Sequence, residues 1–317
     1  MNRWLSFLLI IIMGVGSLAG CQQPAPASLP TLKIAILPIV DALPLYVAEE
    51  NGYFKDAGVQ VEFIPAASAA DRDQLISAGQ ADGMINDPVA VALLNRETTT
   101  VQVVRISRST APGYPMYHIL VPGVSPVQTP SQLAGVPIGV SEYSVINYVT
   151  DQLLLQAGLT SDQIAVIAIP KIPDRLSLLT AGELGAATLP EPFGTLALAQ
   201  GARSVLDDAS TPGLGDSVLS FRLETINAQT AAIQSFVAAV DKAVVEVNAN
   251  PETYRPLLTK YQLVPEAFAA TYPIPPFPGP AVPTQAQFDS VNSWLISKGK
   301  LTAPLVYGDS INSTFLP

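Results

Sequence analysis

The sequence predicts an α/β fold built twice, as two lobes, and three observations carry that expectation. Residues 75–94, LISAGQADGMINDPVAVALL, are echoed by residues 178–198, LLTAGELGAATLPEPFGTLAL; each reads as a helix end, a glycine turn, a short apolar run, an acid-proline pair and a further helix. Apolar periodicity alternates between strand-like and helix-like in the order β-α-β-α-β-α, and that order starts over in the middle of the chain. From Val218 onward the pattern is mostly helical, with too few strands for a third lobe.

In the first unit, LKIAILPIV (32–40) alternates and then runs apolar, as a buried strand does. Asp41 can cap the helix that follows, with Pro44 in its first turn, and Asn51-Gly52 closes it. VQVEFI (59–64) is a second strand. Ser68 with Asp71 three residues on resembles a capping box for a helix ending at Ala78-Gly79. A third strand near 81–86 leads to Asp87-Pro88 and another helix, and this order implies a parallel sheet with helices on its faces.

The pattern restarts after a stretch rich in proline and glycine, 112–130. VPIGV (136–140) is a strand, and Ser141 or Ser144 can cap the long helix after it. Ile146, Val149, Leu153 and Ala157 make the apolar stripe of that helix, and Gly158 ends it. IAVIAI (164–169) is a strand, a helix runs to Ala181-Gly182, a strand runs to Leu189, and Glu191-Pro192 begins the next helix. VLSFRL, starting at Val218, is a short strand followed by helices over 228–247, 251–261 and 285–297, a tail expected to pack back onto the first lobe.

At 317 residues the chain is long enough for two buried cores. Its one long apolar run is at the start: Arg3, apolar residues 5–13, then small residues, a signal-peptide plan shorter than the ~20 residues a membrane span needs. Leu18-Ala19-Gly20-Cys21 looks like a bacterial lipobox, and Cys21 is the only cysteine. We therefore expect a leader over 1–20, lipidation (palmitate) at Cys21 and a Pro/Ala/Ser tether within 21–31. No cysteine remains for a disulfide. The expected location is extracytoplasmic, anchored to a membrane by lipid.

Composition and motifs narrow the function. The net charge of −10, without basic clusters, argues against nucleic acid as a partner. A single histidine, His118, rules out multi-histidine sites and, with Cys21 lipidated, any Cys/His zinc cluster. His118 lies in a predicted strand with no nucleophile elbow near it, and neither GxxxxGK[ST] nor GxGxxG occurs. An enzyme is disfavoured, and no cofactor or metal is expected.

Several segments together resemble one family. They are ENGYFKDAGVQVEFIP (50–65), SAGQADGMI (77–85), SQLAGVPIGV (131–140), LLLQAGL (153–159), TLPEPFGTLALAQGA (188–202), NANPETYRPLL (248–258) and the C-terminal SWLISKGKLTAPLVYGDSINSTFLP. In order and spacing they resemble the substrate-binding proteins of ABC importers, in the SsuA/THI5-like branch that handles nitrate, sulfonates, taurine and thiamine pyrimidine precursors. The resemblance covers residues 32–317. It implies a type II periplasmic-binding fold: two α/β lobes, a two-strand hinge and a ligand cleft between the lobes. Lobe 1 would hold 32–115 and 215–317, and lobe 2 would hold 116–214. The chain departs from the pattern at Gly185, where the family commonly has Asp, as Asp82 is in the first lobe. The resemblance also implies a small-molecule ligand, ABC permease subunits as partners, and action as a monomer.

Ligands of such sheets sit outside the carboxyl ends of the strands, where helix N-termini point. The segments that qualify are 38–43, 66–70, 86–88, 141–144 and 190–193, which make Asp41, Ser68, Asp87, Ser141, Tyr143, Ser144, Glu191 and Phe193 the candidate ligand-binding residues. Glu191 and Asp87 would face the cleft from opposite lobes, or each would only cap its own helix; Asp41 is again readable as a cap. Tyr143 and Phe193 could stack on a flat ring or belong to the core. Tyr114 and Tyr117 near the hinge are weaker candidates, and Glu142 reads as a solvated first-turn acid. Acids outnumber bases at these loops, with only Arg72 near one, so a ring carrying N–H donors, such as an aminopyrimidine, fits better than an anion. The alternatives are a receptor for a sulfonate- or nitrate-type oxyanion, an enzyme on the same fold such as a menaquinone-pathway lyase, and the sensing half of a signalling pair.

Overall fold

The structure, a computed structural model, describes residues 29–317. The expected leader, Cys21 and most of the tether lie outside the described residues. Ten strands form two five-stranded sheets. Strands β1 (Thr31–Ile36), β2 (Gln60–Pro65), β3 (Gly83–Asn86), β4 (Val101–Arg108) and β10 (Ser217–Arg222) make the first, in the order β2-β1-β3-β10-β4. Strands β5 (Tyr117–Val121), β6 (Ile138–Val140), β7 (Val166–Ala168), β8 (Ala186–Pro190) and β9 (Arg203–Asp207) make the second, in the order β7-β6-β8-β5-β9. The two orders are the same arrangement repeated, which is the physical content of the echoed segments.

Neither sheet is purely parallel, which corrects the parallel-sheet expectation. β1 pairs parallel with β2 and β3, and β6 with β7 and β8, but β10 and β5 enter their sheets antiparallel. The reason is connectivity. The chain passes between the sheets twice, from β4 to β5 through residues 109–116 and from β9 to β10 through residues 208–216. A strand that follows a crossing starts at the crevice end of its sheet, so it runs against strands that finish there.

Local chemistry places the turns. β1 ends at Ile36, before the apolar run does, and a 3-10 turn over Val40–Ala42 precedes the helix Leu43–Glu50. Asp41 sits inside that turn and caps nothing, contrary to the expectation, because its carboxylate is taken by partners distant in sequence. Ser68, Asp87 and Ser144 do cap the helices Ala69–Ser77, Pro88–Leu94 and Val145–Gln156, accepting from the amides of Asp71, Ala90 and Ile146. The Glu191-Pro192 peptide bond is cis, and the helix after it is Phe193–Ala199.

The C-terminal residues supply most of one core. The helix Thr230–Ala249 lays Ile233, Phe236, Val237 and Val240 on the first sheet, and Phe236 stacks on Phe54 at 5.2 Å between centroids. Each such fully buried apolar side chain contributes about 1.5–3 kcal/mol. The later helix Gln285–Ser297 is different: Phe288, Val291, Trp294 and Leu295 join a core that contains Val89 of the first unit and Tyr148 and Val149 of the second. That helix is therefore packed against both.

Candidate functional site

At the carboxyl ends of the strands, between the two sheets, charged side chains meet. Arg108 closes β4 and is fully buried, as its entry into the first crossing segment requires. Its Nη1 donates to Asp41 Oδ1 at 3.0 Å and its Nη2 to the Pro115 carbonyl at 3.3 Å, so one guanidinium ties the β1 turn to the crossing. The second Asp41 oxygen accepts the Ser217 hydroxyl, and Ser107 donates to the Asp41 carbonyl at 3.0 Å. Burial works to lower the Arg108 pKa, but the carboxylate charges of Asp41 and Glu191 and the hydrogen bond to Asp41 outweigh it and hold the group firmly protonated.

From the second sheet, Glu191 reaches into the same crevice just past the end of β8. Its Oε1 accepts His118 Nε2 at 2.8 Å and the Thr195 amide at 3.1 Å, and its Oε2 accepts the Tyr272 hydroxyl at 3.0 Å. Burial pushes Glu191 up, yet the hydrogen bond and charge of His118, the hydrogen bond of Thr195 and the charge of Arg108 together bring it below the ordinary value. The acid is thus ionised although it is buried. Gly194 is required here: a Cβ at that position would stand 2.3 Å from His118 Cδ2 and 2.9 Å from Glu191 Oε1.

A cavity of about 200 Å³ opens beside this network, lined by Arg108, His118, Glu191, Thr195 and Tyr272, with 113–115 of the crossing segment and Pro273. Two buried nitrogens of its wall, Arg108 Nε and His118 Nδ1, have no protein partner. The crossings themselves are strapped by two more acids. Asp208 Oδ1 accepts the amides of Met116 and Tyr117 at 2.8 and 3.0 Å. Asp216 accepts the Ser109 hydroxyl at 2.6 Å and Gln287 Nε2 at 3.3 Å. Burial raises both, Asp216 to about 6.

The structure brings the sequence-predicted residues together in two groups and leaves three aside. Asp41 and Glu191 belong to the network around the cavity. Ser141, Tyr143 and Ser144 form one loop at the start of the helix Val145–Gln156. The Ser141 hydroxyl donates to the Pro170 carbonyl at 3.0 Å and the Ser144 hydroxyl to the Ser141 carbonyl at 2.6 Å, so both protons are spent and what remains is acceptor capacity. Tyr143 adopts the left-handed region at φ 56°, its amide donates to Asn147 Oδ1 at 3.2 Å, and Lys300 Nζ lies 3.7 Å from its ring centroid. Ser68 is exposed at its cap, and Asp87 is half-buried at its own, raised by burial. Phe193 packs against the second-sheet core with Leu176 and Leu179.

Sequence reasoning missed Arg108, His118 and Tyr272. His118 offers a signal as the only histidine, but the sequence tests it only against metal sites and catalytic motifs; Arg108 and Tyr272 offer none, since nothing local distinguishes them.

Comparison with known proteins agrees with this architecture. The family described as NMT1/THI5 like matches residues 40–254, more than half of the chain. The formylaminopyrimidine-binding protein of Halalkalibacterium halodurans is 23% identical over 171 residues, 52% of this chain and 50% of that protein. The match thus spans about half the length of that relative. The fold is shared with the alkanesulfonate-binding protein SsuA of Xanthomonas axonopodis pv. citri, solved with MOPS bound (TM-score 0.73, 15% identity, 91% of this chain and 100% of that one). It is also shared with the desulfurization enzyme DSZB (TM-score 0.67, 17% identity, 90% of this chain and 97% of that one). The same fold therefore carries both binding and catalysis. The two mixed sheets, the double crossing and the crevice between them are the periplasmic-binding architecture, and the chain belongs to the NMT1/THI5-like family.

Proposed function

We propose that this chain is an extracytoplasmic solute receptor of an ABC importer. It captures a small heteroaromatic molecule bearing N–H donors between its lobes and delivers it to a permease. The observation that carries the reading is Glu191: a carboxylate kept ionised in a buried crevice, beside a cavity sized for a small ring and facing the crossing segments about which the lobes would turn. A buried anion of this kind favours N–H donors and repels oxyanions. The acceptor-only serines of the 141–144 loop support the same preference, as does the formylaminopyrimidine for which the binding-protein relative is named. The receptor acts as a monomer, held to the membrane by lipid on Cys21.

Glu191 and Tyr272 belong to opposite sides of the crevice, so their bond is one the lobes break on opening. An enzyme on this fold is the competing class, and DSZB is its example. The receptor reading expects stoichiometric binding without turnover.

The test is thermal unfolding against a panel of aminopyrimidines, flavins, sulfonates, nitrate and bicarbonate. A ligand at a hundred times its dissociation constant adds about 2.7 kcal/mol, enough to raise the midpoint by several degrees. A shift with an aminopyrimidine that disappears in Glu191→Gln supports the reading. A shift that survives that substitution removes its basis.

A further inference from the structure

The segment NANPETYRPLL (248–258) has no residue in the cavity wall, yet two of its side chains end on the stretch that carries Tyr272. Asn248 stands in the last turn of the helix Thr230–Ala249. Arg255 opens the helix Arg255–Lys260, after a 3-10 turn over Pro251–Tyr254. Both reach back to residues that follow the short helix Glu266–Ala269.

Those residues need support from outside. Six of the eleven residues 273–283 are proline, and the stretch from Tyr272 to Thr284 joins neither a helix nor a strand. Proline brings no N–H, so the stretch forms no ladder of its own and its carbonyls need donors from elsewhere. Side chains supply them. Arg255 Nη1 donates to the Tyr272 carbonyl at 2.8 Å and Asn248 Nδ2 to the Phe277 carbonyl at 2.8 Å. Arg105 Nη2 donates to the Pro278 carbonyl at 2.9 Å, and the Tyr307 hydroxyl to the Pro283 carbonyl at 2.6 Å. The Asn248 amide grips in both directions, since its Oδ1 also accepts the Phe277 N–H at 2.9 Å.

Arg255 is committed through both edges of its guanidinium. Nη1 donates to the Ala269 carbonyl as well, also at 2.8 Å. Nε and Nη2 fork onto the two oxygens of Glu252 at 2.5 and 2.6 Å, which fixes the plane of the group. Glu252 is exposed, and an ion pair with such a partner adds little stability of its own. What the pair supplies is aim. The backbone it holds carries the buried Tyr272 ring to Glu191, with Pro273 beside it in the cavity wall.

We infer that Asn248 and Arg255 are positioning residues for ligand capture: by gripping the backbone at Tyr272 and Phe277 they set where the Tyr272 hydroxyl stands against Glu191. Neither lines the cavity, so each acts through Tyr272. The consequence for affinity rests on the receptor reading; the placement of Tyr272 does not.

The experiment uses the purified chain labelled with 3-fluorotyrosine and read by fluorine NMR. Among the ten tyrosines, the Tyr272 signal is the one missing in Tyr272→Phe. Arg255→Ala and Asn248→Ala are expected to shift that signal, and Arg255→Lys, which keeps one donor, to shift it less. Arg203 is the control, because its Nη2 grips the Ser125 and Val127 carbonyls at 2.7 and 2.9 Å in the second lobe. Arg203→Ala is expected to lose stability and leave the Tyr272 signal in place. Calorimetry with a neutral aminopyrimidine gives the second measurement. Arg255→Ala is expected to bind about tenfold more weakly, as Tyr272→Phe does, with no further loss when the two are combined.

An unmoved Tyr272 signal in Arg255→Ala and Asn248→Ala overturns the inference, as does an equal shift in Arg203→Ala. A tenfold loss on adding Arg255→Ala to Tyr272→Phe overturns it too, since the two side chains would then act independently. Should Arg255→Ala not fold, Arg255→Lys and Asn248→Ala carry the same comparison. A wild-type chain that binds no aminopyrimidine removes the ligand from the receptor reading, while the fluorine signal still decides whether Asn248 and Arg255 place Tyr272.

Discussion

The Tyr272 hydroxyl donates to Glu191 Oε2 at 3.0 Å, joining the proline-rich C-terminal stretch to the acid at the end of β8. Burial raises the Tyr272 phenol well above its ordinary range, so it stays a donor at any physiological pH. Tyr272→Phe removes the bond and leaves Glu191 short of one partner. Hydrogen bonds to charged groups contribute about 1.5–3 kcal/mol, and we expect a loss within that range by urea denaturation. Small-angle scattering of the ligand-free variant should show a larger radius of gyration. An unchanged radius would mean that this bond does not hold the lobes.

Asp41 and Arg108 form a buried pair, and removing one partner strands the other. Asp41→Ala is expected to cost about 3–5 kcal/mol, while Asp41→Ala with Arg108→Met recovers most of it. A denaturant double-mutant cycle measures this. Strictly additive losses would show that the pair is not coupled.

Asp216 sets a pH dependence of known sign. Its folded pKa, about 6, lies above its ordinary 3.8. Between those values the folded chain holds a proton that the unfolded chain does not, so this group's contribution declines as pH rises toward 6 and is constant above. Asp216→Asn removes the titration. The difference in melting temperature, variant minus wild type, should therefore rise from pH 4 to pH 6 and then level off. A flat difference across that window would contradict the assignment.

Glu191 titrates in the opposite sense. Held below its ordinary value, it stabilises the fold above that value, and the contribution is lost as pH falls through the lowered one. His118→Phe takes away the largest source of that lowering, so the acid limb of the stability curve should move to higher pH. Circular dichroism across pH 3–6 reads it, and coincident acid limbs would refute the role given to His118.

Gly194→Ala inserts a methyl against the His118 ring and Glu191. Overpacking at such sites costs about 1–3 kcal/mol. We expect that loss in stability together with weakened ligand binding, whereas Gly279→Ala, where nothing lies within 4 Å, should change neither.

The fold was legible because its signals are local. Periodicity, caps at Ser68, Asp87 and Ser144, and glycine stops depend on neighbours within a turn. No local pattern marks β4 and β9, and the antiparallel insertion of β5 and β10 depends on where the chain crosses, which no window of residues contains. The site was legible only in part for the same reason. Glu191 stood out through its echo of Asp87, but its partners His118 and Tyr272 lie 73 and 81 residues away, and Asp41 finds Arg108 67 residues on. Asp41 reads as a cap because only short-range partners are visible in a sequence. The acid-proline echo also concealed a difference, since Asp87 spends its carboxylate on its own helix while Glu191 reaches across the crevice.

The two crossings are strapped by Asp208 and Asp216, whereas the 141–144 loop follows β6 and takes no part in either strap. On the proposed receptor reading, the pivot and the palate of this molecule are separate inheritances. A gene duplicate can drift in the loop, trading one cargo for another, while the machinery that swings the lobes passes unchanged to both descendants.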